Sequence, residues 1–281
     1  MSNTILQQFD LSGRTVAITG GGGALCGAMA DALGTMGVKV AVLDLSTEQA
    51  EMRANWIVRA GGQALPFGCD VLEREQLTRC YAQISEAWGP PELLINGAGG
   101  NDPGGTTSVE FAEAEATPEV SFFDLEPSGF RQVFDLNFMG NFLATQVFSR
   151  GMVAAGKGSI VNISSMSAFT PLTKVAAYSA AKAGVSNFTQ WLAVHLAHVG
   201  VRVNALAPGF FMTEQLRFLH LDPSTGELLP RARQVIAHTP MGRYGDPDDL
   251  IGTLVWLLSD ASRFVTGVVV PVDGGFSSFT I

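Results

Sequence analysis

The stretch TVAITGGGGALCGAMADAL, residues 15–33, decides the fold of this chain. Its first five residues are typical of a β-strand, the next four are all glycine, and the remainder predicts a helix of small residues. Glycines let a backbone approach a pyrophosphate closely, and the N-terminus of the following helix favours negative charge. The order strand, glycine turn, helix therefore predicts a dinucleotide site, with candidate contacts at Gly20, Gly22, Gly23 and Leu25.

A second strand is predicted over residues 38–43, and Asp44 follows it directly. A carboxylate at that position can accept a hydrogen bond from a ribose 2′-hydroxyl and would repel a 2′-phosphate. Residues 20–23 contain no Arg or Lys that could compensate for the repulsion. We therefore expect NAD as the cofactor rather than NADP. The alternative to a dinucleotide site is a flexible turn followed by a surface aspartate.

Tyr178 and Lys182 are four residues apart in a predicted helix, so their side chains share one face. A free phenol titrates near ~10, and lowering its pKa to ~7 takes ~4 kcal/mol. An ammonium group ~4 Å away, at an effective dielectric of ~20, supplies about that much. The pair is thus a candidate acid/base for an alcohol–ketone couple, with Ser165 upstream as its partner. The alternative is a chance pair on a solvated helix face.

Composition and charge limit the classes of protein that this chain can belong to. Strands alternate with helices up to residue 272, which predicts one α/β domain over residues 1–281. Nearly half of the residues, 47%, are hydrophobic, as in a parallel sheet buried on both faces. The net charge of −9 and the lack of a basic run argue against nucleic acid. No run approaches the ~18 apolar residues of a membrane span, so no membrane partner is expected.

The cysteines and histidines favour no disulfide framework and no metal site. The three cysteines are odd in number, and buried thiols in a reducing cytosol are the preferred interpretation, which predicts a cytoplasmic location. The four histidines show no metal-ligand spacing. Residues 1–10 have neither the basic region nor the apolar core of a secretory signal.

Several short motifs follow one another in a fixed order along the chain. They are TG at 19–20, Asp44, DV at 70–71, NGAG at 96–99, Asn137, Ser165, YSAAK at 178–182, and PG at 208–209 with Thr213. Together they resemble the short-chain dehydrogenase/reductase family over nearly the whole length. Residues 20–30, 96–101 and 187–215 resemble its D-mannonate oxidoreductase (fructuronate reductase) branch. Ala24 and Cys26 stand where that family usually has glycines, which leaves open the backbone amides that meet the pyrophosphate.

The resemblance implies a single-domain, Rossmann-like, doubly wound parallel sheet of seven strands with helices on both faces. It also implies an NAD-dependent oxidoreductase in which Tyr178 exchanges the hydroxyl proton and Lys182 holds the nicotinamide ribose. Ser165 would hydrogen-bond the substrate oxygen, where negative charge develops. Asn137 would kink its helix and hold a water that links Lys182 to solvent, or would only satisfy a local backbone group.

The same resemblance assigns further cofactor contacts. Asp70 and Val71 would touch the adenine, although Asp70 could instead cap the next helix. Thr213 would meet the carboxamide of the nicotinamide. The remaining candidates, together with Tyr178 and Lys182, are Asn96, Ala98, Pro208, Gly209 and Phe211.

Two long segments at the predicted active-site edge carry the candidate substrate residues. Residues 100–127 are interpreted as an insertion, and residues 209–245 as a substrate lid. A sugar-acid carboxylate needs a cation, and the candidates are Lys174, placed one helical turn before Tyr178, with Arg217 and His220 in the lid. Asn101 is a further candidate for the substrate site. A homotetramer is expected because the family usually forms one.

Other functions stay open from the sequence. D-mannonate and D-fructuronate are the expected substrate pair, and another polyol or sugar dehydrogenase or a 3-ketoacyl-type reductase on the same scaffold is the alternative. A catalytically silent, dinucleotide-binding regulator is the alternative from another class. Such a regulator has no need of Ser165, Tyr178, Lys182 and Asn137 together.

Overall fold

The computed structural model describes residues 4–112, 120–213, 222 and 225–280. Its strands form one seven-stranded sheet in the order β3-β2-β1-β4-β5-β6-β7, and every neighbouring pair is parallel. The strands are β1 Thr15–Thr19, β2 Lys39–Asp44, β3 Gln63–Gly68, β4 Leu93–Asn96, β5 Gly158–Ile163, β6 Val201–Pro208 and β7 Val269–Val272.

The α-helices lie between and after these strands. They are α1 Ile5–Gln8, α2 Ala24–Thr35, α3 Thr47–Arg59, α4 Arg74–Trp88, α5 Pro127–Phe134, α6 Gly140–Ala155, α7 Ala176–Leu196, α8 Pro230–Ala237 and α9 Ile251–Leu258. The predicted doubly wound parallel sheet of seven strands is therefore confirmed. No helix within the described residues is both long and apolar enough to cross a membrane.

Successive side chains of the buried strands point alternately into two core layers, one on each face of the sheet. Val16 and Ile18 of β1 pack on one face of the sheet, with Leu33 of α2. Ala17, between them, packs on the other face, in a cluster that includes Phe148 of α6. All five residues of β1 are buried. Because successive side chains of a strand point to opposite faces, β1 contributes side chains to both core layers.

The helix that carries Asn137, in which the family resemblance implies a kink, is not continuous. The structure has α5, then a π-helical turn over Asp135–Met139, then α6, and Asn137 lies within the π-turn. The kink expected at Asn137 is thus a local change in helical hydrogen bonding, a feature frequent at functional sites. The segment before β7 also changes its helical type, because the 3₁₀ turn Pro247–Leu250 directly precedes α9.

Parallel pairing brings the carboxyl ends of all seven strands to one edge of the sheet. The turns that follow β1, β4 and β5 therefore lie side by side, although they are far apart in sequence. Thr19, the last residue of β1, joins two of these turns, because its Oγ1 accepts from the amides of Gly97 (3.0 Å) and Ala98 (3.2 Å).

Candidate active site

The glycine turn after β1 has the shape that a pyrophosphate site requires. Gly20 has φ +66°, and a Cβ on it would lie 2.9 Å from the Ala98 Cα, so a side chain there is excluded. Gly23 is the N-cap of α2 and offers no capping side chain. The first-turn amides of α2, which include that of Leu25, thus have no intrahelical acceptor and are available to an anion.

Asp44 ends β2 beside this turn and is held in place by two backbone amides. Its Oδ2 accepts from Gly22 and its Oδ1 from Ser46, both at 3.0 Å. A Cβ on Gly22 would lie 3.0 Å from the Asp44 Oδ2, so the turn and the carboxylate fit closely. A carboxylate has about four acceptor positions, and two of them remain for a ribose hydroxyl.

Cys26 explains how the turn tolerates the departure from the family's glycines. Its buried Sγ occupies the space into which a Cβ on Gly97 would project. The glycine that permits close packing between α2 and the turn after β4 is therefore Gly97. Burial raises the pKa of the Cys26 thiol to about 12, and the predicted free, buried thiols at Cys26, Cys69 and Cys80 are confirmed.

The predicted adenine contacts lie at the carboxyl end of β3. Asp70 Oδ1 accepts from the Leu72 amide at 2.9 Å, while the N-cap of α4 is Glu73. The alternative in which Asp70 caps α4 is therefore wrong, since its carboxylate is used in a local turn. Val71 is buried, and a Cβ on Gly140 would lie 2.7 Å from its Cγ2, so α6 closes over this position.

Asn96 directs its side chain into the core rather than outward. Its Nδ2 donates to Thr145 Oγ1 (2.8 Å) and to Asn162 Oδ1 (2.9 Å), and Asn162 Nδ2 donates in turn to Thr189 Oγ1 (2.8 Å). A role in cofactor binding would therefore fall to the backbone of the turn. Thr145, Asn162 and Thr189 were not predicted, because only the fold brings these polar residues together.

The four predicted catalytic residues converge at the carboxyl ends of β4 and β5. Ser165 follows β5, and Tyr178 and Lys182 lie on α7 as expected. Lys182 Nζ is 5.5 Å from the centroid of the Tyr178 ring. A Cβ on Gly99 would lie 2.5 Å from Asn137 Oδ1 and 3.3 Å from Lys182 Nζ, so Gly99 packs against both polar atoms.

Asn137 is buried and satisfies backbone groups on two segments. Its Nδ2 donates to the carbonyls of Gly100 (2.7 Å) and Val133 (2.8 Å), and its Oδ1 accepts from the Gly100 amide (3.2 Å). The side chain thus ties the π-turn to the loop after β4. Of the two predicted roles for Asn137, satisfaction of local backbone groups is observed, and the water relay stays a prediction.

The electrostatics of Tyr178 and Lys182 differ from the sequence expectation. Burial raises the pKa of Tyr178, and a hydrogen bond with Ser165 opposes the rise. Burial also lowers the pKa of Lys182, to about 8. The predicted lowering of the Tyr178 pKa by Lys182 is therefore wrong for this structure. The ammonium donates to the Ile163 carbonyl at 2.8 Å, and burial sets the direction of the Tyr178 pKa shift.

Lys174 is not one helical turn before Tyr178, and that prediction is wrong. The helix α7 begins at Ala176 after the N-cap Val175, so Lys174 precedes it. Lys174 has φ +73°, in the left-handed region, and its carbonyl accepts from the Thr107 amide at 3.0 Å. Asn101 is exposed on the loop after β4. The other two substrate candidates, Arg217 and His220, lie outside the described residues.

The segments around Lys174 are joined by a contact that the sequence did not predict. Arg231 of α8 forms an ion pair with Glu110 of the 100–127 segment. The same guanidinium lies 3.4 Å from Thr173 Oγ1, one residue before Lys174. We call this three-residue contact the rim clasp. It connects the predicted insertion, the predicted lid and the loop before α7.

The last group of predicted cofactor residues follows β6. Pro208 ends the strand, and the Gly209 amide donates to the Val272 carbonyl at 3.0 Å. Phe211 is buried and packs where a Cβ on Gly245 would project, 2.6 Å from its Cε1. Thr213 is the last described residue of this segment, which belongs to the predicted lid.

Comparison with known proteins places this arrangement in a family. A family model described as enoyl-(acyl carrier protein) reductase matches residues 23–277. An uncharacterised oxidoreductase, UxuB, of Bacillus subtilis is 50% identical over 96% of this chain and 97% of its own. The chain belongs to the short-chain dehydrogenase/reductase family, and it is a nicotinamide dinucleotide-dependent oxidoreductase that acts on a CH–OH group.

Two further relatives are informative about chemistry. A Haemophilus influenzae protein proposed to be a D-mannonate oxidoreductase, with bound NAD, superimposes with a TM-score of 0.92 at 46% identity, over 96% of this chain and 97% of that one. The 5-keto-D-gluconate 5-reductase of Escherichia coli strain K12 is 32% identical over 95% of this chain and 96% of its own.

Proposed function

We propose that this chain interconverts the hydroxyl and the ketone of a sugar acid, D-mannonate and D-fructuronate, with NAD as the hydride carrier. The observation that carries the proposal is the convergence of Ser165, Tyr178 and Lys182 beside the uncapped glycine turn of α2. Support for the substrate class comes from two relatives, the Haemophilus influenzae protein and the Escherichia coli reductase, whose names refer to sugar acids.

In the proposed oxidation, Tyr178 takes the proton of the substrate hydroxyl, and Ser165 donates a hydrogen bond to the same oxygen. When bound, NAD supplies the acceptor for the hydride of the carbinol carbon. Lys182 binds the nicotinamide ribose. Burial opposes the charged form of both side chains.

The cofactor site is proposed to run along the carboxyl edge of β1 to β4. The turn at Gly20, Gly22 and Gly23 would hold the pyrophosphate through backbone amides, and Asp44 would accept from the adenosine ribose. The two backbone donors of Asp44 fix the orientation of its carboxylate. This supports a preference for NAD, since a 2′-phosphate would meet that negative charge.

The substrate carboxylate is proposed to bind Lys174, with Asn101 and the lid residues Arg217 and His220 as further contacts. A lysine in the left-handed region costs roughly 1–3 kcal/mol, and such outliers cluster at functional sites. The Thr107 amide donates to the Lys174 carbonyl, and the neighbouring Thr173 contacts Arg231 in the rim clasp. The loop at Lys174 is therefore held both by the 100–127 segment and by α8.

A substrate panel followed by cofactor absorbance tests this function. D-mannonate should reduce NAD faster than a neutral polyol, and a ketoacyl thioester should oxidise NADH slowly. Lys174→Met should raise KM for D-mannonate about ten-fold, because a charge-assisted hydrogen bond contributes roughly 1.5–3 kcal/mol. The matched control is Lys157→Met, at a lysine whose side chain is 66% exposed and paired with Glu92 at the opposite edge of the sheet.

The alternatives have distinct outcomes in the same panel. Turnover of the polyol or the thioester without D-mannonate would remove the substrate assignment and leave the dehydrogenase. Tight dinucleotide binding with no turnover of any compound would instead favour the silent regulator.

We further propose that the chain is a single domain that assembles as a homotetramer in the cytoplasm. The face formed by α4, α6 and α7 carries Trp191, which is 59% exposed and stacks on His195, next to a cavity of about 320 Å³. An exposed aromatic face of this kind supports burial against a second copy. Sedimentation at micromolar concentration tests the proposal, and a monomer would contradict it.

A further inference from the structure

Ser167 makes two hydrogen bonds to the catalytic serine and has no role in the mechanism so far. Its amide donates to Ser165 Oγ at 3.1 Å, and its own hydroxyl donates to the same oxygen at 3.0 Å. Both residues are buried, with 7% of Ser165 and 1% of Ser167 exposed. The contact is local: Ser165 is the N-cap of the 3₁₀ turn Met166–Ala168.

The number of hydrogen bonds at Ser165 Oγ restricts what that atom can still do. A hydroxyl has one donor and two acceptor positions. Ser167 occupies both acceptor positions, so the only function left to the Ser165 hydroxyl is to donate its proton.

We propose that Ser167 is a positioning residue that fixes the Ser165 hydroxyl as a hydrogen-bond donor to the reacting oxygen. The proposal rests on the proposed roles of Ser165 and Tyr178. A fixed donor serves both reaction directions, because the oxygen carries negative character in the transition state of oxidation and of reduction. Without the Ser167 hydroxyl, one acceptor position of Ser165 is free and its proton can turn elsewhere.

Ser165 also acts on Tyr178 through a hydrogen bond. The hydrogen bond with Ser165 lowers the Tyr178 pKa, against the effect of burial.

A spectroscopic titration of the full chain without substrate or cofactor is the first test. The chain has three tyrosines, so the difference between wild type and Tyr178→Phe isolates one phenol. Ser167→Ala should raise the pKa of Tyr178, and Ser167→Thr, which keeps the hydroxyl, should restore it. The control is Ser186→Ala, which removes a bond to Ser164 rather than to Ser165 and should leave the titration unchanged.

A double-mutant cycle is the second test, run with whichever alcohol the wild type oxidises. Ser167→Ala should lower kcat about three- to ten-fold, since a free hydroxyl samples about three staggered positions instead of one. The same change should have no further effect in Ser165→Ala, because Ser167 acts only through Ser165. Dinucleotide affinity and Tm should stay near wild type.

Two results would overturn the proposal. One is an unchanged Tyr178 titration in Ser167→Ala. The other is an equal loss of kcat on adding Ser167→Ala to Ser165→Ala, which would mean that Ser167 acts on its own. If Ser167→Ala fails to fold, Ser167→Cys takes its place in both tests. If no sugar acid is oxidised, the proposed substrate fails, whereas the titration still decides the role of Ser167.

Discussion

Adding one methyl group at Gly99 should disable the site without replacing a catalytic side chain. A Cβ there would lie 2.5 Å from Asn137 Oδ1 and 3.3 Å from Lys182 Nζ. An ordinary contact begins at 3.4 Å, so the Asn137 oxygen must retreat by about 0.9 Å and the ammonium by less. The amide of Asn137 is already held on both sides, by Gly100 and by Val133, so it cannot move away freely.

The displacement has a calculable consequence for turnover. A misplacement of ~1 Å in a catalytic arrangement costs about 10²-fold in rate. We expect Gly99→Ala to lower kcat ten- to a hundred-fold, and overpacking to reduce stability by roughly 1–3 kcal/mol. The assay is steady-state oxidation at saturating NAD and substrate, with dinucleotide affinity measured separately by fluorescence.

Gly100→Ala is a matched control on the adjacent residue. A Cβ on Gly100 meets nothing within 4 Å, and its amide and carbonyl still bind Asn137. Kinetics near wild type are therefore expected for this variant. Our reasoning is refuted if Gly99→Ala turns over like the wild type. It is refuted as well if the defect lies only in cofactor affinity, because the methyl would then meet the dinucleotide.

Three other changes have clear expected outcomes. Tyr178→Phe should retain NAD affinity and lose ~10²–10⁴-fold in turnover, measured at 340 nm, and retention of a tenth of the activity would remove Tyr178 from its assigned role. Asp44→Ser should raise the ratio of kcat/KM for NADP to that for NAD, and an unchanged ratio would mean that Asp44 does not face the ribose. Lys182→Met should abolish turnover and raise Tm at pH 7, because the wild type then holds a buried ammonium. Since the folded-state pKa of Lys182 is lowered to about 8, the folded amine is neutral above that pH while the unfolded chain stays protonated to about 10.5. The stability of the wild type thus rises between about pH 8 and pH 10.5. A Tm advantage of Lys182→Met that does not shrink by pH 9.5 would contradict the lowered pKa of Lys182.

The sequence predicted those parts of the site that depend on local pattern. The strands, the glycine turn and the helical spacing of Tyr178 and Lys182 are readable because neighbouring residues set them. The pKa of Tyr178 was predicted in the wrong direction, since burial is a property of the whole packing. Lys174 was placed on a helix because a left-handed residue in a loop leaves no periodic signal.

Contacts between distant segments had no signal in the sequence. The rim clasp joins Glu110 to Arg231 across 121 residues, and no spacing rule links two such positions. The buried network from Asn96 to Thr189 is of the same kind. The π-turn at Asn137 was foreseen only as a kink, because the exchange of one helical bond for a side-chain bond depends on the loop at Gly100.

The bond between Lys182 Nζ and the Ile163 carbonyl has a consequence for dynamics. It attaches the catalytic amine to the last residue of β5, and the following amide, Ser164, donates to the Leu206 carbonyl of β6 at 2.7 Å. Opening of this end of the sheet would therefore also displace the carbonyl that holds the amine. Hydrogen exchange at the Ser164 amide should then report how often this end of the sheet opens and the amine of Lys182 is displaced, even in an enzyme that is not turning over.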